Sequence, residues 1–277
     1  MRLISALFFF LLCPVASSFA QSQAQLDSAY IRDNFSKREV MVPMRDGKQL
    51  FTSIYSPKDL SKRYPILMRR TPYSCSPYGA EAFVTGFQNM NLARAGYIFV
   101  FQDVRGRYMS EGEFVDVRPF VPEANLPTAL SSKGEKQADE SSDTYDTVDW
   151  LLKNTSNNNG RVGVMGISYP GFYATMAILA GHPAIKAVSP QAPVTDWFVG
   201  DDFHHNGAFM LMDAFSFYSG FGKVRPQPTT QGQSGFSNWN TPDNYDFFLR
   251  AGALRNFAKK FEMEKIPFWN DLMAHPN

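Results

Sequence analysis

Cysteine is almost missing: of 277 residues only Cys13 and Cys75 are cysteines. Cys13 falls inside an apolar leader-like stretch, so Cys75 would be the sole cysteine of a mature chain, and an internal disulfide is excluded. Excess charge of either sign is missing as well. The 27 Lys and Arg residues balance 26 Asp and Glu, for a formal net charge of +1. With neither a basic stripe nor an acidic tail, nucleic acid is not an expected partner. Long hydrophobic runs are lacking too: Leu3 to Leu12 is shorter than the roughly 20 residues that a membrane span needs. Histidine is scarce, with only His182, His204, His205 and His275 available. There is no internal repeat.

What is present begins with a leader. Arg2, the apolar run and the small-residue end Ser17-Ser18-Phe19-Ala20 form a secretory signal pattern over residues 1–20, with cleavage expected after Ala20. A leader retained as an anchor is the alternative. Leu12 stands where a lipoprotein site would want a small residue, so Cys13 is not an expected lipid site. The chain is thus expected to be exported, periplasmic or secreted, with no membrane contact once the leader is removed. A composition of 44% hydrophobic and 19% charged residues fits a globular protein with a sizeable core.

Residues 21–37 are polar and aperiodic and read as an N-terminal arm. Val40-Met41-Val42-Pro43 and Leu50 to Tyr55 flank Asp46-Gly47 and predict a hairpin. Tyr64 to Arg69 is a third strand. Tyr97 to Phe101 is a fourth, continuously apolar as an interior parallel strand should be. Glu81 to Ala95 carries a weaker helical pattern. After a long connection over 104–141, Tyr145 to Leu152 has helical spacing, with its start marked by Ser141-Ser142-Asp143. Arg161 to Met165 is a strand, Phe172 to Ala180 a buried helix, and Ala184 to Val188 another strand. The alternation predicts an α/β fold: a mostly parallel sheet opened by an antiparallel hairpin over 38–202. The phenylalanine-rich, helix-like remainder, 203–277, reads as part of a helical cap.

Ser168 sits in Gly166-Ile167-Ser168-Tyr169-Pro170-Gly171, between that strand and that helix. A serine on a sharp strand-to-helix turn is presented at the carboxyl edge of a sheet as a nucleophile. Its hydroxyl needs a base, an orienting carboxylate and donors for the tetrahedral oxyanion. The amide of Tyr169 is the natural first donor. A second must come from the loop after the third strand, Arg69-Arg70-Thr71-Pro72-Tyr73-Ser74.

Arg-Thr-Pro-Tyr paired with Gly-x-Ser-Tyr-x-Gly resembles the X-Pro dipeptidyl-peptidase and cocaine esterase group of α/β-hydrolases. Asp103-Val104-Arg105-Gly106-Arg107, Ser110-Glu111-Gly112 and Asp146 to Leu151 extend the match, which runs from about Arg38 to the last residue. The resemblance implies that the Tyr73 phenol belongs to the oxyanion hole. Asp196 to Gly207 further resembles the α-amino-acid ester hydrolases, whose acidic cluster holds a substrate ammonium; by spacing from the nucleophile the matching carboxylate is Asp202. The expected enzyme is therefore a serine hydrolase of esters, amides or short peptides that needs no cofactor and no metal. Its acyl group would carry an α-amino function. An X-Pro dipeptidyl-peptidase or a cephalosporin-type acylase is the alternative within the family, and a non-catalytic binding protein is the alternative outside it. A homo-oligomer is left open.

Blander readings exist for each residue. Tyr73 could be a packed loop aromatic, Asp201 and Asp202 a helix cap, and Phe203 to Phe221 simply cap core. Asp201, Asp202, His204 and His205 suit a single metal poorly, because neighbouring histidines point apart. Asp103 and Arg105 read as loop anchors. In this fold the triad runs Ser, Asp or Glu, then His, yet none of the four histidines follows a strand in the required place. We therefore expect the later strands, the catalytic Asp and the catalytic His to lie beyond residue 277, and this stretch alone to be poorly soluble and inactive. The intact mass of the native protein checks this: a value well above 31.2 kDa is expected.

Overall fold

Strands β1 (Phe35–Pro43) and β2 (Gln49–Pro57) form the opening hairpin, turning at Gly47, whose φ of +84° suits glycine. The computed structural model describes residues 22–122, 137–198 and 202–275; the leader pattern of 1–20 lies outside them. Beyond the hairpin come β3 (Tyr64–Thr71), β4 (Ile98–Asp103), β5 (Asn158–Ile167) and β6 (Ile185–Gln191). Together they make one six-stranded sheet in the order β1-β2-β4-β3-β5-β6. The two pairings of β2 are antiparallel, and the β4/β3, β3/β5 and β5/β6 pairings are parallel. The expected architecture is therefore the observed one.

Both faces of the sheet are covered, which explains why β4 is apolar at successive positions. Ile98 and Val100 face helices α3 (Glu140–Asn154) and α4 (Tyr169–Leu179), packing with Val148, Leu151, Ala174 and Ala177. Phe99 faces the other way, into a cluster with Ile31, Phe35, Tyr55, Phe87 and Ala93. Ile31 comes from α1 (Gln23–Asn34), in the segment that reads as an aperiodic arm. Its apolar face is almost Ile31 alone, so period gives no signal, and a Ser22 capping box starts the helix.

Two further boundaries differ from the sequence reading. Only Met90–Ala95 of the 81–95 segment is helical (α2), because Phe83, Val84 and Phe87 serve the aromatic cluster instead. Phe87 stacks on Phe99 with centroids 4.0 Å apart. Helix α3 starts at Glu140, one residue before the segment read as its marker, since Asp139 is the cap and accepts from the Ser142 N–H at 2.7 Å.

The C-terminal segment folds over the carboxyl edge of the sheet. A two-rung ribbon, β7 (His204–His205) and β8 (Ala208–Phe209), precedes α5 (Leu211–Phe221), α6 (Asn244–Ala251), α7 (Arg255–Lys260) and α8 (Pro267–Ala274). The ribbon, and the irregular stretch over 222–243, depart from the helix-like expectation. Phe215 is the hub of this part, with Phe236, Phe257 and Phe261 centroids each within 5.3 Å. The same aromatic cluster continues into Tyr169 and Tyr173 of α4, so cap and core share one interior.

Beneath the site runs a buried ion network. Arg70 on β3 meets Glu140 at 3.0 Å and Asp143 at 3.6 Å, and Arg105 meets Asp143 and Asp46 at 2.6 Å each. Replacing one partner of such a network strands the others without compensation. Arg70→Met should cost about 3–5 kcal/mol, read as a lowered urea midpoint. A loss below about 1 kcal/mol would show that the network adds no stability.

Candidate active site

Strands β3 and β5 are parallel neighbours with Met68 opposite Val164. Continuing that register carries Thr71 level with Ile167, so the loops leaving both strands emerge side by side. This is how Tyr73 reaches Ser168 across nearly a hundred residues of chain. Tyr73 and Tyr169 lie edge to face with centroids 6.2 Å apart.

The turn at Ser168 has φ +61° and ψ −124°, a conformation rare for a side-chain-bearing residue. It is held by its own backbone. The Ser168 N–H donates to the Gln191 carbonyl at 2.9 Å, and the Ser168 carbonyl accepts from Gly171 and Phe172. The flanking glycines allow the chain to close: a Cβ on Gly166 would sit 1.9 Å from the Pro170 carbonyl oxygen, and one on Gly171 2.8 Å from that of Gln191. Ser168 caps α4 without spending its hydroxyl on a cap bond, and its side chain is exposed. Tyr169 is the first residue of α4, where N–H groups have no intrahelical acceptor and the helix dipole favours negative charge.

Asp103, fully buried at the end of β4, organises the loop that bears Tyr73. It accepts from the Cys75 N–H at 2.7 Å, the Tyr78 hydroxyl at 2.9 Å and the Met109 N–H at 3.2 Å. Burial pushes its carboxyl up, against those hydrogen bonds. Arg107 holds the same loop from the side: its Nε donates to the Pro72 carbonyl at 3.1 Å and its Nη1 to that of Phe221 at 2.9 Å. Its guanidinium lies 4.3 Å from the Phe221 ring centroid. Asp103 and Arg105 thus anchor structure and do not face Ser168 as reacting groups.

Asp116 is the group that sequence reasoning missed. It sits in an aperiodic loop with no motif around it. Its Oδ1 accepts from the Tyr169 hydroxyl at 2.6 Å and from Trp197 Nε1 at 3.2 Å, while the Val117 N–H donates to the Tyr169 hydroxyl at 2.7 Å. Burial pushes the Asp116 carboxyl up to about 6 despite these bonds and Arg107. The Tyr73 phenol is pushed up to about 12 by burial, then by the charge of Asp116, with Asp202 a smaller contributor. Asp202 itself is exposed, on the loop before β7, and it also acts on Tyr218 of α5. The structure therefore brings Ser168, Tyr169, Tyr73 and Asp202 to one region, with Asp116 and Tyr218 added. A cavity of about 780 Å³ adjoins it, lined in part by Asp116, Phe114, Trp197 and Phe268.

Histidines are placed elsewhere. His182 accepts from the Ala184 N–H and packs on Tyr145; His204 packs on Phe209 and His275 on Phe198. Among the described residues no histidine hydrogen-bonds Ser168, and no group of three or more His, Cys, Asp or Glu could hold a metal ion. His204 is buried and His205 exposed, on opposite faces of a strand. Asp201, which the metal reading would need, lies outside the described residues. Among the described residues no helix is long and apolar enough to cross a membrane.

The profile of the X-Pro dipeptidyl-peptidase family (S15) matches residues 46–277. The chain belongs to this family. Cocaine esterase of Rhodococcus sp. (strain MB1 Bresler) is 34% identical over 173 residues, covering 62% of this chain and 26% of that protein. The structure of an aminopeptidase from the marine sediment archaeon Thaumarchaeota archaeon is similar at TM-score 0.73 and 33% identity, covering 95% of this chain and 40% of that one. That of an α-amino acid ester hydrolase is similar at 0.72 and 35%, covering 97% and 41%. The chain thus spans about a quarter of the curated relative and about two fifths of these two structures, and over its own length it shares their α/β-hydrolase fold.

Because Asp116 titrates higher in the folded state than the ordinary 3.8 of an aspartate, the native state holds an extra proton between about pH 4 and 6. Its stabilising contribution is present below pH 4 and lost as pH rises through 6. Asp116→Asn removes that loss. The stability of the variant relative to wild type should shift in its favour by on the order of 2 kcal/mol from pH 4 to 7, read by urea unfolding. A pH-independent difference would assign Asp116 an ordinary ionisation.

Proposed function

We propose that this chain carries the nucleophile and oxyanion hole of a serine hydrolase that cleaves esters or amides through an acyl-enzyme, with an acyl group bearing an α-amino function. The observation that carries the reading is Ser168 at +61° on the β5–α4 turn, with Tyr73 packed against the residue that follows it. Ser168 Oγ attacks the acyl carbon. The developing oxyanion accepts from the Tyr169 N–H and the Tyr73 hydroxyl, collapses with loss of the alcohol or amine, and forms again when water attacks the acyl-enzyme. A Tyr73 phenol held near 12 stays protonated at neutral pH, and so remains a donor.

Asp202 offers a carboxylate for the substrate ammonium. The similar aminopeptidase and α-amino acid ester hydrolase support this finer reading, since both names imply substrates with an amino group. Among the described residues no histidine hydrogen-bonds Ser168, and the chain spans about a quarter of the curated relative and two fifths of the similar α-amino acid ester hydrolase. The leader pattern of residues 1–20 supports a location outside the cytoplasm.

A fluorophosphonate probe on the native protein tests the nucleophile: labelling should map to Ser168 and vanish in Ser168→Ala. Tyr73→Phe should lower kcat on an α-amino ester by about 10²–10³-fold, as loss of one oxyanion donor does, with KM little changed. Probe capture at another residue, or full turnover in Tyr73→Phe, overturns the assignment.

A further inference from the structure

Tyr73 has to aim its phenol, yet its own polar contacts do little of the aiming. Among the described residues its one hydrogen bond runs from its N–H to Thr71 Oγ1 at 3.1 Å, and none reaches its hydroxyl. The side chain is 41% exposed and leans on two rings, Tyr169 at 6.2 Å and Phe221 at 5.7 Å between centroids. The main chain beside it is strained. Ser74, the next residue, sits at φ +99°, where a side chain is unfavourable. Such a conformation persists only where its surroundings over-determine it.

Two pins flank this stretch. Asp103 takes the Cys75 N–H on one side, and Arg107 Nε takes the Pro72 carbonyl on the other. Asp103 belongs to the core, whereas the other arm of Arg107 belongs to the cap. Its Nη1 donates at 2.9 Å to the Phe221 carbonyl, one of the last carbonyls of α5, which lack an intrahelical donor. The same guanidinium lies 4.3 Å from the Phe221 ring centroid and 4.9 Å from that of Phe114. Arg225, just past α5, donates in turn to the carbonyls of Gly106, Tyr108 and Ser110, so the segment bearing Arg107 is itself tied to the cap.

We propose that Arg107 and Phe221 are positioning residues for the Tyr73 phenol, so that the end of α5 sets the geometry of the oxyanion hole. The proposal rests on the reading of Tyr73 as an oxyanion donor and adds what aims it. One planar fork fixes both the main chain before Tyr73 and the residue whose ring supports it. A lysine keeps the charge but is a point donor on a flexible stem, and it does not span two carbonyls in that way. Without the fork, Pro72 and Phe221 shift independently and the phenol moves with them. A displacement of about 1 Å at a reacting group can cost about 10²-fold in rate.

The test is a double-mutant cycle on the native protein with 4-nitrophenyl acetate, an ester that needs no α-amino function. Arg107→Lys should lower kcat by about 10- to 10²-fold, with KM little changed. In a Tyr73→Phe background no phenol remains to be aimed, and the same substitution should lower kcat by less than about twofold. Phe221→Leu should show the same non-additivity, and it carries the test if Arg107→Lys does not fold. A residue that merely fastens cap to core gives equal losses in both backgrounds. That result overturns the inference, as does a kcat that neither single substitution changes. If Tyr73→Phe costs turnover but the losses add, the oxyanion reading stands and only this assignment fails. If Tyr73→Phe keeps full turnover, both fail, with probe capture at Ser168 still deciding the hydrolase.

Discussion

The site depends on how closely α4 begins against the end of β5. The contact is backbone on backbone: Gly166 lies so near the Pro170 carbonyl that no side chain fits between them. That closeness holds Ser168 in its positive-φ turn with its side chain exposed. Of the first turn of α4 it leaves the Tyr169 amide without an intrahelical acceptor, since Pro170 has no N–H and Gly171 and Phe172 donate to the Ser168 carbonyl. A looser junction would let Ser168 relax into the helix as an ordinary cap, with its hydroxyl turned onto its own backbone.

Around the turn, charge is arranged in two layers of different kind. The lower layer is the ion network of Arg70, Glu140, Asp143, Arg105 and Asp46, where each charge has an opposite partner and the result is rigidity. The upper layer is deliberately incomplete. Asp116 and Arg107 are held by neutral donors, carbonyls and rings, so neither charge is cancelled at contact distance. A group kept charged but unpaired in a partly desolvated place is costly by itself and strong towards a ligand.

Much of this was legible in the sequence, and the reason differs between parts. The parallel strands and Ser168 could be read because apolar runs, glycines and a serine at fixed spacing each reflect one local constraint. The partnership of Tyr73 with Ser168 needed the resemblance to a family, since only the β3/β5 pairing brings them together. Asp116 was not legible. A single carboxylate in an aperiodic loop gives no local signal, and its role comes from Tyr169, Trp197 and Tyr218, contributed by three separate stretches. Helix α1 was missed for the opposite reason: it buries so little that polar capping, not period, defines it.

Cap and core also trade arginines. Arg107 leaves the core loop to hold the final carbonyl of α5, while Arg225, just past α5, reaches back to the carbonyls of Gly106, Tyr108 and Ser110. Each side grips the other's main chain, so the grip does not depend on which side chains decorate either surface. The aromatic filling of the cap can therefore drift and reshape the chamber while the hinge stays sealed. Grafting a foreign cap onto this core would succeed or fail on whether both arginines travel with the joint, much as a borrowed door fits only when its hinges match the frame.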